Sequence, residues 1–221
     1  MSAEIPAARV RLIERIIVAA RSLSRKSSSA ETAAFLKRYF SGVDQEDLAA
    51  RSPEYLARVA LAHHRVGEQR AAGRPVVSVL DGELGADAAP GPHTLVAVIT
   101  ADMPFLVDSL LLAFSRLGIG VHLIIHPVFE VGARRESWQL FEVDRQVDAE
   151  RLNLIRTSLQ ATLADVRVAV ADWQPMLNQA RNAVRDLKDA GVAPEADAAE
   201  AQSLIDWMVR SEEHTSELQS Q

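Results

Sequence analysis

Apolar residues recur at helical spacing between Arg9 and Leu23, where Ile13, Ile16, Ile17, Ala20 and Leu23 share one side. The run Ala30–Phe40, AETAAFLKRYF, predicts a second short helix stopped at Gly42. Asp44 stands where a short third turn needs a cap. Ser52-Pro53-Glu54 then supplies a capping hydroxyl, a proline at the first helical position and an acid in the first turn. The helix that follows carries Leu56, Val59, Ala60 and His63 on one face and is expected to reach about Arg70. Residues 1–72 therefore read as a helical region.

The pattern changes at Gly73 and Pro75. Val76–Leu80 is a short β-like run, and DGELGADAAPGP after it is a loop, so residues 73–92 read as a linker with a short strand. Thr94–Thr100, TLVAVIT, predicts a buried strand. Pro104–Leu117 predicts a helix with Leu106, Leu110, Phe114 and Leu117 on one face, ended by Gly118. Gly120–Val131 reads as one strand, GARRES as a turn, and Trp138–Asp144 as the returning strand. Ala149–Leu163 is helical again. The order β-α-β-β-α lacks one strand of a ferredoxin-like unit. Val166–Asp172, VRVAVAD, fits that strand, but Leu163, Val166, Val170, Trp173 and Leu177 keep helical spacing, and helix is the better fit. Pro175 is expected to open a further helix to about Ala190, capped by Gly191, with one more helical piece at Gln202–Val209. The fold class is α+β: an N-terminal helical region, a ferredoxin-like βαββα(β) domain over residues 93–172, and C-terminal helices over 173–209.

Charge and composition narrow the function. The 221 residues carry a net charge of −6, with 48% hydrophobic residues, a globular balance without the basic footprint of a nucleic-acid binder. The absence of cysteine removes disulfides, thiolate zinc sites and cysteine nucleophiles. No run approaches the roughly 18 apolar residues of a membrane span. The basic N-terminal helix can be read as a targeting segment, but Glu4 and Glu14 favour a packed helix.

The apolar stretch Ala101–Pro127 holds two acids and two histidines: Asp102, Asp108, His122 and His126. Asp102 between strand and helix is expected to cap the helix, helped by the preset φ of Pro104. Asp108 falls opposite the apolar stripe and is expected to be solvated. His122 and His126, four apart on one strand, would lie about 13 Å apart, too far to share an ion. They are expected on one sheet face, packed or hydrogen-bonded. His63 and His64 point about 100° apart on a helix, one toward the core and one outward. Gly118-Ile119-Gly120 follows a helix and precedes a strand, the reverse of a dinucleotide fingerprint. A hydrolase or metal enzyme built on the histidines finds no catalytic pair at a workable spacing.

ITADMPFLVDS and GVHLIIHPVF resemble the N-terminal region of the large bacterial NAD-dependent glutamate dehydrogenases. FLKRYFSGVDQEDLAARSPEYLARVALAH upstream, and ESWQLFEVDRQ and LADVRVAVADWQPM downstream, extend the resemblance to about Val209. The resemblance implies an ACT-type module, a small βαββαβ regulatory unit that pairs with copies of itself through its sheet and can bind amino acids. It implies a cytoplasmic setting, NAD as the parent's cofactor, and the rest of the dehydrogenase as a partner. It also implies a regulatory turn at Asp102, Met103, Pro104 and Phe105. Amino-acid-binding ACT modules show D-x-P-G-L-L there. Asp102, Pro104 and Leu106 match, and Phe105 replaces the glycine. That side chain is expected to be at least half buried, filling the space a ligand would use. No catalytic, cofactor-binding or metal-ligating residue is implied, so the chain alone is expected to be inactive. The alternative is a free-standing ACT-like amino-acid sensor.

Arg210–Gln221, RSEEHTSELQSQ, has one apolar residue, Leu218. Its first eleven residues are what a widely used sequencing-library adapter encodes in this frame, so residues 210–221 are expected to be non-native, with the gene cut short there.

Overall fold

The computed structural model describes residues 7–23, 30–71, 73–80, 92–189, 196–197, 199–205 and 207. Four helices open it: α1 (Ala7–Leu23), α2 (Ala30–Tyr39), α3 (Gln45–Ala49) and α4 (Pro53–Gln69). Ser52 caps α4 as expected, its hydroxyl accepting from the Tyr55 N–H at 3.2 Å. Asp44 holds the cap position of α3, but its side chain makes no capping bond. Ile16, Ile17, Ala19 and Ala20 of α1 are buried, so this helix packs.

The five strands are β1 (Val76–Val79), β2 (His93–Ala101), β3 (Val121–Ile125), β4 (Val128–Val131) and β5 (Arg134–Asp144). They form one antiparallel sheet in the order β1-β2-β5-β3, with β4 also beside β5. The expected single strand Gly120–Val131 is therefore two. His126-Pro127 separates them, because proline has no N–H to give a ladder. The Pro127 carbonyl still accepts from the Trp138 N–H at 3.0 Å. Gly132-Ala133 joins β4 to β5, with Gly132 at φ 63°, the glycine-first arrangement of a two-residue hairpin.

Two helices follow from the later segments: α5 (Leu106–Arg116) between β2 and β3, and α6 (Ala149–Asp189) after β5. Val166–Asp172 lies within α6. The place flanking β2 that a fourth strand would take is filled from upstream by β1. Pro175 does not open a new helix, since α6 runs through it. It stands at an exposed position, where the helix gives up one backbone bond and must accommodate the ring against the carbonyl one turn back. Residues 202–205 and 207 are helical as expected. The Gly191 cap, the loop at 81–91 and the 210–221 tail lie outside the described residues.

Side-chain alternation gives the sheet two different faces. On one, Leu95, Ala97 and Ile99 of β2, Leu123 and Ile125 of β3, and Trp138 and Leu140 of β5 share a core with α1, α2 and α4. The helical region and the sheet thus have no separate cores. On the other, Phe114 of α5 meets Phe141 at 5.1 Å between ring centres, while Leu110, Ile155 and Leu159 are fully buried.

By its contacts the chain divides into two units, one holding residues up to Asp102 with Leu106–Leu163, the other Met103–Phe105 with Ala164–Gln221. In the second unit Leu177, Val184 and Ile205 are buried.

Candidate regulatory site

The β2–α5 turn differs from the expected helix cap. The helix begins at Leu106, four residues beyond Asp102, out of reach of a capping carboxylate. Asp102 instead pairs with Arg135 Nη2 at 3.0 Å, and its backbone N–H donates to the Arg135 carbonyl at 3.0 Å. Phe105 has φ 67°, alone in a positive region among the described non-glycine residues. Its backbone thus takes the conformation glycine favours, at the position where the resembled motif carries glycine. The residue keeps 40% of its surface and stands among the exposed large hydrophobics, so it fills the space at the turn only in part. Met103 is half-buried and Pro104 exposed. Asp108 is exposed, as expected.

The first unit has a polar patch on the α5 side of the sheet, toward the C-terminal end of β2. Thr100 faces Ser137 across the β2–β5 ladder. Ser137 Oγ accepts from Gln139 Nε2 at 2.9 Å and bonds His126 Nε2 at 2.8 Å. Thr100, Ser137 and Gln139 are buried, and Thr100 Oγ1 and Gln139 Oε1 have no protein partner. Burial lowers the His126 pKa against the opposing pull of Asp102.

His122 does not share a face with His126. A bulge opens between Val121 and Leu123, leaving His122 as the extra residue. The bulge swings its ring toward the α1–α4 side, where Nε2 meets Asp144 Oδ1 at 2.8 Å and the ring lies 4.4 Å from that of His93. Asp144 also accepts from the Gly120 N–H at 2.6 Å. These two bonds hold its carboxyl below the usual range. His63 is fully buried and bonded to Tyr39 Oη at 2.9 Å, while His64 is partly exposed, as their helical offset predicted. Burial pushes the His63 pKa down to about 3 and that of Tyr39 up, so both are neutral near pH 7.

Two buried carboxylates on β5 went unread in the sequence. Glu142 takes Arg51 Nε at 3.1 and 3.0 Å, Arg51 Nη2 at 2.6 Å and the Tyr55 hydroxyl at 2.8 Å. Glu136 pairs with Arg70 and accepts from Trp138 Nε1 at 3.3 Å. Arg51 and Tyr55 flank the start of α4 and Arg70 follows its end, so both ends of the helix are pinned to one strand. Sequence separations of 91 and 66 residues hide these pairs.

The glutamate dehydrogenase ACT1 domain model matches residues 35–159, more than half of the chain. The chain belongs to this family. The matched segment starts within α2, takes in α3, α4, the sheet and α5, and ends within α6. The NAD-specific glutamate dehydrogenase of Halomonas elongata is 32% identical over 225 positions, covering 92% of this chain and 14% of that protein. That of Pseudomonas aeruginosa is 27% identical, covering 79% and 12%. The chain thus spans about one-seventh or less of the curated relatives it matches. Among the described residues no helix is long and apolar enough to cross a membrane.

Neither strand-to-helix passage of the ACT1 domain, Asp102–Phe105 or Arg145–Asp148, contains a glycine. The residues present do not fit a dinucleotide pyrophosphate, which needs close backbone approach there.

Proposed function

We propose that this chain is the N-terminal regulatory and assembly region of an NAD-dependent glutamate dehydrogenase acting in the cytoplasm. The parent reaction is oxidative deamination of glutamate to 2-oxoglutarate, with NAD handled by the parent's catalytic part. The observation that carries this reading is the ACT1 match over the sheet and its supporting helices, together with the similarity to a dehydrogenase about seven times longer. In this reading residues 93–172 are the ACT-like unit and residues 1–72 its helical support. The β3 side of the sheet pairs with a second copy, since an uncovered edge offers unpaired N–H and C=O groups. The turn Asp102, Met103, Pro104 and Phe105 is where an amino-acid effector acts, because its backbone keeps the shape that glycine gives the resembled motif.

The test has two arms. The purified chain should turn over no glutamate with NAD and should sediment as a dimer or larger at high micromolar concentration. Turnover by contaminant-free protein overturns the regulatory reading, and strictly monomeric behaviour overturns the assembly role. Amino acids titrated into the chain should perturb the NMR signals of Asp102–Phe105. No perturbation at millimolar amino acid removes the effector role from this turn.

A further inference from the structure

The bulge on β3 and the start of β2 bring two imidazoles together across the central strand. His93 and His122 have ring centres 4.4 Å apart at 35°. His122 Nε2 is 2.8 Å from Asp144 Oδ1, and His93 Nδ1 is 3.9 Å from Glu142 Oε2. That Glu142 oxygen is the one held by Arg51 Nη2 at 2.6 Å. We propose that His93 and His122 form a proton-responsive joint across β5 that sets how firmly Arg51 holds Glu142, and with it how firmly α3 is held to the sheet.

The physical steps are few. Histidine changes charge between pH 5 and 8. Two neutral rings can lie against each other at this distance, but two cations there repel. Once charged, His122 keeps its contact with Asp144, which the Gly120 N–H fixes from behind. His93 is driven the other way, toward Glu142. There it competes with Arg51 for Oε2 and adds a second cation beside the guanidinium. Arg51 also donates to the Asp47 carbonyl at 2.8 Å and lies 3.7 Å from the Asp47 carboxylate, so weakening its hold on Glu142 frees the end of α3. The charged and titratable groups around the joint are Asp47, Arg51 and Tyr55 from the helical side, Glu142 and Asp144 from β5, and Arg145, whose guanidinium reaches the His93 carbonyl at 3.5 Å. Of the residue types around the joint, histidine is the one that ordinarily changes charge between pH 5 and 8. The bulge supports this role, since an extra residue that re-aims one side chain onto a cluster is how sheets build such features.

Hydrogen exchange on the whole chain at pH 7.5 and 5.5, corrected for intrinsic rates, tests the joint. In the native protein the Leu48, Ala50 and Arg51 amides should open about fivefold more readily at pH 5.5, the low end of coupling between sites. In His93→Asn and in His122→Asn that acceleration should fall to the level the α1 amides show. The α1 amides around Ile16–Ala20 should respond to pH alike in all three proteins, because His63 acts on the shared core in each. No acceleration in the native protein overturns the proposal, and so does equal acceleration in either variant. If one variant fails to fold, the other decides.

Discussion

Toward α1–α4 the sheet presents Trp138, Glu136 and Glu142 among its aliphatic residues, and a fully buried His63 stands between Tyr39 and Trp138. Toward α5 it presents Val96, Val98, Phe141 and Val143, and the contact is ring on ring at Phe114–Phe141. Away from the polar patch at Thr100, Ser137 and Gln139, the second face is fixed by volume, and similar residues could exchange there at small cost. The first is fixed by partners: each carboxylate needs one particular arginine, and each arginine sits at one end of α4. Apolar burial holds both faces together, but only the helical side specifies where a helix must sit.

The largest expected effect breaks that specification. Arg51→Met should destabilise by about 3 kcal/mol, because it leaves the buried Glu142 with the Tyr55 hydroxyl and a more distant His93 in place of a guanidinium. Arg51→Met with Glu142→Leu should recover most of the loss, since an apolar pair removes the desolvation penalty as well as the attraction. Urea unfolding of the three proteins measures this. A double variant as unstable as the single would show that the clamp adds stability beyond its charges.

Gly67→Ala probes the same face by crowding. A Cβ at Gly67 would stand 2.1 Å from the Trp138 ring, and that ring is wedged against Phe35, Phe129, His63 and His64. Overpacking of this kind costs about 1–3 kcal/mol, although alanine is ordinarily favoured over glycine in a helix by up to about 1 kcal/mol. A stabilised Gly67→Ala protein would mean that the ring can move aside.

His63 gives the helical side a pH dependence of its own. Its folded pKa, about 3, lies below the ordinary value of 6.5, so the unfolded chain takes up the proton first. The contribution is whole above pH 6.5 and is lost as pH falls toward 3, at about 1.4 kcal/mol per pH unit for one proton. His126 is shifted in the same direction. Unfolding free energies between pH 7 and 4 should therefore fall less steeply for His63→Gln, by about one proton's worth. Identical slopes would place the proton uptake elsewhere.

The comparison also separates what local sequence shows from what it hides. Ser52-Pro53-Glu54 announced the start of α4, and the spacing of Leu163, Val166, Val170 and Trp173 announced that α6 continues, because these signals act within a turn or two. The bulge at His122 left no mark, since one extra residue in an apolar run changes no composition. The fourth place in the sheet was sought downstream because ferredoxin-like units take it from there, whereas β1 supplies it from upstream. Glu136 and Glu142 looked like any strand carboxylates, because what buries them is a pair of arginines 66 and 91 residues away. At the turn, Asp102 and Pro104 resembled a helix start closely enough to suggest a cap, but the chain makes an extra bend through Phe105 before α5 begins.

That bend yields the smallest expected effect. If Phe105 only filled space, Phe105→Gly would cost about 3–5 kcal/mol, as buried aromatic truncations do. Its φ of 67° argues otherwise. An L-residue in this region carries roughly 1–2 kcal/mol of steric cost that glycine escapes. Against that, glycine loses about 0.5–1 kcal/mol more in chain entropy on folding, and the covered part of the ring is given up. With 40% of the residue already in water, these contributions nearly cancel, and the net change should stay within about 1 kcal/mol. The same substitution restores the glycine of the amino-acid-binding motif, so Phe105→Gly should bind amino acids at least as well as the native chain while folding about as well. A loss of 3 kcal/mol or more in urea unfolding would show that the ring is a packing residue and that the positive φ is the minor influence at this turn.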